Sequence, residues 1–250
     1  MQSIQRAVQI LYMVAGVEDG CTVQQMAHRL GLKPNTVYKF TRALEREQLL
    51  HRRTGPLRFL LGPAVTELKV LDDERHLLSI SGEVLVRTQA RLPDATLVLS
   101  ELRGSTVWER LSVQPTRPGV LVRHRSSIMP IYERASSLLF LAYSRSDHVG
   151  VIYSEHPFDA EGRAAWRSRD RLDAFLARVR RLGYCQPPTL GPAPHFRVAA
   201  PVFSSGHDLV ASVAGFIVNR EPVQHKQALV HLCREAAKEI TSRLAEPCAA

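Results

Sequence analysis

Two short amphipathic runs separated only by Gly31-Leu32-Lys33 constrain this chain more than any other feature in it. The first run opens with Thr22-x-x-Gln25, a capping-box pattern. In such a box the threonine hydroxyl accepts from the amide three residues on, and the glutamine side chain reaches back to the threonine amide. The helix that follows carries Val23, Met26, Ala27 and Leu30 on one face. Gly31 ends it, because glycine adopts the left-handed conformation that closes many helices. The second run begins at Pro34, a residue suited to a first helical turn, where no amide partner is lost. Its Val37, Phe40 and Leu44 share an inward face, while Asn35, Thr36, Tyr38, Lys39 and Arg42 fall on the other. Upstream, Ile4, Ala7, Val8, Leu11, Val14 and Ala15 recur at helical spacing and predict a helix over 3–17. The tight glycine-containing turn predicts a helix-turn-helix whose second helix spans 33–47. An ordinary helical hairpin with a solvated polar face has the same spacing.

The next segment separates these readings. Residues 49–53 and 57–61 read as two strands around Thr54-Gly55-Pro56, a small hairpin with Arg52, Arg53 and Arg58 on its strands. Three helices followed by a basic hairpin describe a winged helix-turn-helix. In that arrangement Asn35 and Lys39 reach base edges, Thr36 and Tyr38 meet phosphate or a thymine methyl, and Arg42 neutralises phosphate. The three wing arginines lie beside the groove. A net charge of +9 agrees with a polyanionic partner, although charge alone fits an anionic membrane surface equally.

Through Gly62 the chain resembles the IclR family of bacterial transcriptional regulators. The resemblance is carried by Ser3-Ile4-Gln5-Arg6-Ala7, Met26-Ala27-His28-Arg29-Leu30-Gly31-Leu32, Thr36-Val37-Tyr38-Lys39 and Leu60-Leu61-Gly62-Pro63. Here Lys33 intervenes before Pro34, where the family usually has proline directly after Gly-Leu. The resemblance implies a winged helix-turn-helix domain at 1–63, a linker helix at 64–78 and a GAF-like effector-binding domain at 79–250. It also implies homodimers or dimers of dimers, as does a recognition helix that covers only a few base pairs.

The second half reads independently as mixed helix and sheet. A helix through Glu83 and Ala90 stops at Pro93, strands at 95–102 and 106–111 flank Arg103-Gly104-Ser105, and helices are expected at 133–143 and 169–182. Strands at 196–203 and 209–218 and a last helix at 222–244 complete an α+β domain. Family landmarks recur in Arg180-Arg181-Leu182-Gly183-Tyr184 and Ala199-Ala200-Pro201-Val202-Phe203. Two have changed: Ala135-Ser136-Ser137-Leu138-Leu139 replaces the family's Ala-Leu-Gly-Lys-Ala run, and Arg197 replaces a frequent cysteine. Ser136 and Ser137 near a helix start, with Arg197 as a fixed cation, point to a small organic acid as effector. Leu99 and Trp108 are the expected apolar walls of that pocket. The alternatives are a ligand-free oligomerisation domain, with Arg197 paired to a nearby acid, and a GAF-like module that binds protein.

The chain lacks the Gly-x-Ser-x-Gly elbow, a glycine-rich phosphate loop and His-Glu-x-x-His, so no catalytic residue and no cofactor are expected. His207-Asp208 sits at an expected turn, where such residues are ordinary. The cysteines at 21, 185, 233 and 248 form no metal-ligand spacing. Neither a signal peptide nor a membrane span is legible, and reduced thiols in the cytoplasm are the expectation.

Overall fold

The computed structural model describes residues 2–53, 57–188 and 195–246. These fall into two units, divided between Arg75 and His76.

The first unit holds α1 (Gln2–Ala15), α2 (Val23–Leu30), α3 (Pro34–Arg46) and the paired strands β1 (Leu50–Arg53) and β2 (Arg58–Leu61). The capping box is formed: Thr22 Oγ1 accepts from the Gln25 amide at 3.2 Å, and Gln25 Oε1 accepts from the Thr22 amide at 2.9 Å. Gly31 ends α2 at φ +63°, and its amide caps the Ala27 and His28 carbonyls. Ile10, Val14, Met26, Val37, Leu44, Leu50 and Phe59 share one buried core, so α2 and α3 bury the faces their periodicity assigns, whereas α1 buries Ile10 and Val14 and leaves Ile4, Val8 and Ala15 of its expected face exposed. The strands pair antiparallel, from Leu50 opposite Leu61 to Arg53 opposite Arg58. The expected turn at Thr54-Gly55-Pro56 lies outside the described residues. Cys21 adds a bridge to Phe59, exchanging backbone hydrogen bonds of 3.0 and 2.9 Å. The preceding Gly20, at φ +72°, allows this approach, since a Cβ there would lie 2.4 Å from the Phe59 carbonyl oxygen.

The sequence separates a helix at 64–78 from one through Glu83 and Ala90. The structure instead has one helix, α4 (Pro63–Arg91), of 29 residues. No proline interrupts it, and the buried Ser81 and Gly82 continue it against the second unit's core.

That unit is built on a five-stranded antiparallel sheet, ordered β5-β4-β3-β7-β6. Its strands are β3 (Thr96–Arg103), β4 (Thr106–Gln114), β5 (Arg117–Met129), β6 (His195–Phe203) and β7 (Leu209–Val218). One face carries Leu97, Leu99, Leu111 and Val113 and packs with Val84 and Leu85 of α4 and Leu229 and Cys233 of α9 (Val223–Ala245). Three exposed ion pairs join these helices: Arg87 with Glu239, Arg91 with Glu235 at 2.9 Å, and Arg243 with Glu83 at 2.9 Å. The other face carries Val107 and Ala199 and packs with α5 (Ala135–Tyr143) and α8 (Arg169–Leu182). Between these two helices lie α6 (Ser146–Glu155), a π-helical turn at Phe158–Gly162 and α7 (Arg163–Trp166). This is the α+β architecture expected, with the addition of β5. That strand is largely exposed at the sheet edge and contains Pro118, so it carries little periodic apolar signal. Among the described residues no helix is long and apolar enough to cross a membrane.

Candidate functional site

Burial along α3 alternates as an amphipathic helix requires. Val37, Thr41 and Leu44 are buried, while Asn35, Tyr38, Lys39 and Arg42 are exposed and Thr36 is half-buried. The polar set therefore stands on one outward stripe. Thr41 turns its hydroxyl inward to the Tyr38 carbonyl at 3.0 Å, which leaves the outward side chains to solvent. Two elements of this surface are already engaged. Arg42 donates to Glu45 at 3.0 Å, and Arg52 of the wing approaches the same carboxylate at 3.9 Å. Arg58 donates to the Gly20 carbonyl at 2.9 Å and so anchors the wing. Arg53 is the most open of the three wing arginines, with only a 4.0 Å approach to Asp19.

The second unit holds a cavity of about 250 Å³ between the α5 start and the sheet face opposite α9. Ser136 and Arg197 both line it, and so does Arg134, which directly precedes α5. Burial pushes the Arg197 guanidinium below its ordinary range, and the like charge of Arg134 adds to this, while Glu133 opposes it. Neither arginine has a carboxylate within 4 Å among the described residues. The Ser136 hydroxyl is buried with no hydrogen-bond partner among the described residues. This end of the cavity is therefore cationic, rich in donors and close to a helix N-terminus, a combination suited to a carboxylate.

Three expected residues lie elsewhere. Leu99 is fully buried on the opposite face of the sheet, in the core beneath α4 and α9. Trp108 pairs with Glu101, two residues beyond Leu99, and so shares that face. The apolar walls come instead from Val98, Met129 and Phe216. Ser137 is buried in α5 and does not line the cavity. The sequence reading missed Arg134 and Glu109. A cation in the first turn of the expected helix, two residues ahead of Ser136, was a usable signal for Arg134. Glu109 was hidden by the extra residue, Arg110, that shifts the β3–β4 register.

Residues 3–54 match the IclR helix-turn-helix domain. No curated protein matches the chain by sequence. Solved structures match it along its length. The IclR protein of Thermotoga maritima is 19% identical, with 98% of this chain and 100% of that one covered at a TM-score of 0.56. The Agobacterium tumefaciens repressor BlcR is 19% identical over 99% and 98% of the two chains, with a TM-score of 0.55. An IclR homologue of Microbacterium hydrocarbonoxydans, complexed with 4-hydroxybenzoate, is 21% identical over 97% and 98%, also at 0.55. The N-terminal unit thus carries a match to the IclR helix-turn-helix domain over residues 3–54, and the chain as a whole shares its fold with the IclR transcriptional regulators.

Proposed function

We propose that this DNA-binding regulator changes its promoter affinity when a small organic acid enters the cavity beside α5. The supporting observation is the cationic end made by Arg134 and Arg197 beside the start of α5, where neither guanidinium has a carboxylate within 4 Å among the described residues. A carboxylate there relieves the repulsion between the guanidiniums. The Microbacterium homologue's 4-hydroxybenzoate is an acid of this class. In this reading residues 1–63 bind DNA through Asn35, Thr36, Tyr38, Lys39, Arg42, Arg52, Arg53 and Arg58, and residues 79–250 hold the acid. The linker at 64–78 carries the difference in affinity between the two states, as any such control requires.

The functional species is a dimer or a pair of dimers. Ile4, Val8 and Tyr12 form a stripe along α1, and Ile4 and Tyr12 are 73% and 77% exposed. Large apolar side chains at such exposure on one helix face suit an interface with a second copy.

Thermal stability and DNA affinity measured across a set of small carboxylic acids test the proposal. At least one acid should raise the melting temperature and change affinity, and Arg197→Ala should abolish both effects. If no acid does either, the ligand-free oligomerisation domain is the better reading.

A further inference from the structure

The cavity has a second pole. Glu109, on β4, lines it together with Ser127 of β5. Its carboxylate is held from two sides: His124 Nε2 lies 3.0 Å from Oε1, and the Ser127 hydroxyl donates to Oε2 at 3.4 Å. Ser112 Oγ lies 2.8 Å from the same His124 nitrogen. A carboxylate is only an acceptor, so the nitrogen facing it at 3.0 Å carries a proton. The charged neighbours of Arg197 are Arg134 and Glu133, and Glu109 forms no ion pair with either cavity arginine. A cation pair and a fixed carboxylate thus face one cavity without neutralising each other. Each carboxylate oxygen has two lone-pair directions, so Glu109 retains acceptor capacity beyond His124 and Ser127.

We infer that Glu109 is a specificity determinant: it selects acids with a hydrogen-bond donor, an ammonium or a hydroxyl, at the end remote from their carboxylate. The inference rests on the organic-acid reading above. A ligand with a plain apolar end covers the part-buried Glu109 and leaves its remaining acceptor capacity unmatched. A second carboxylate meets like charge, which costs more than the lost bond. The cavity therefore excludes dicarboxylates, although its arginines alone would favour them.

Isothermal titration on the full chain, with two matched series, decides this. One series is benzoate, 4-hydroxybenzoate, 4-(aminomethyl)benzoate and terephthalate; the other is pentanoate, 5-hydroxypentanoate, 5-aminopentanoate and glutarate. Within the series that binds, a donor-bearing acid should bind about tenfold or more tightly than the plain acid, and the dicarboxylate should bind weakest. Whether the amine or the hydroxyl binds tighter identifies which donor the site takes. Glu109→Gln should flatten the ranking and admit the dicarboxylate, while Arg197→Ala should weaken every acid in the series. Equal binding of plain, donor-bearing and dicarboxylic acids overturns this inference but leaves the organic-acid reading standing. So does a ranking that Glu109→Gln leaves unchanged. Binding of no acid overturns both. The ranking on the unaltered chain is decisive by itself if the variant does not fold.

Discussion

Arg58 of the wing donates to the carbonyl of Gly20, 2.9 Å away and 38 residues earlier in the chain. The wing is therefore fastened to the turn before α2, and Arg58 is a structural residue as well as one of the cations proposed to face DNA. Arg58→Ala should lower the unfolding free energy by about 1–2 kcal/mol, because a part-buried carbonyl loses a charged donor. Arg53→Ala should leave stability unchanged. It should weaken binding to all duplex sequences alike and reduce the slope of log affinity against log salt by about 1. Urea denaturation and fluorescence anisotropy at several salt concentrations separate the two roles.

Lys39 stands exposed in the middle of the outward stripe of α3. If it reads a base edge, Lys39→Ala should cost about 1–3 kcal/mol on the preferred operator and relax the preference at one position. An equal loss on every sequence assigns it to phosphate instead. Selection of bound sequences by the two proteins checks this.

Thr22 and Gln25 satisfy each other's exposed amides at the start of α2. Thr22→Ala should destabilise the fold by about 1 kcal/mol, and Thr22→Ser by much less, since the hydroxyl is the group in use. Thermal denaturation of the two variants measures the difference.

The carboxyl of Glu235 is held below the ordinary carboxylate range, chiefly by its hydrogen bond from Arg91. A group with a lowered native pKa stabilises the fold above its unfolded value, about 4.3, and loses that contribution as the pH falls through the native value. The pair is exposed, so its worth is below about 1 kcal/mol. Arg91→Ala should therefore lower stability slightly at pH 7 and make no difference at pH 2. Urea denaturation curves at both pH values test this sign.

Burial pushes the Cys233 thiol up to about 12, and the buried Cys185 thiol is raised for the same reason. Neither forms thiolate near neutrality, so iodoacetamide at pH 8 should leave both unmodified in the folded chain and label both in urea. Peptide mass spectrometry reports this directly.

The elements most legible in the sequence were those whose signals are local. The capping box, the glycine stop of α2 and the inward face of α3 depend on residues within one or two turns, and each appears where its spacing puts it. Strand β7 and helix α8 carry strong apolar periodicity and match their expected limits. Strand β5 was illegible because an exposed edge strand needs little apolar alternation. The cavity divided along the same line. Ser136 and Arg197 line it and were readable from their place beside a helix start and a landmark strand. Leu99 and Trp108 were misplaced because choosing a strand face requires its parity relative to the rest of the sheet. That parity is set by pairing with distant strands and by the extra residue at Arg110.

Strand β3 gives that parity a further meaning. Thr96 and Val98 look into the cavity, while Leu97 and Leu99 lie in the core beneath α9. An insertion or deletion of one residue ahead of them would exchange the two sets, burying a threonine hydroxyl in the core and turning two leucines into the cavity. Descendants of this chain are therefore free to alter what the cavity accepts by substitution, residue by residue. They are not free to do so by changing the length of the strand, and a surviving indel should be found in the flanking turns.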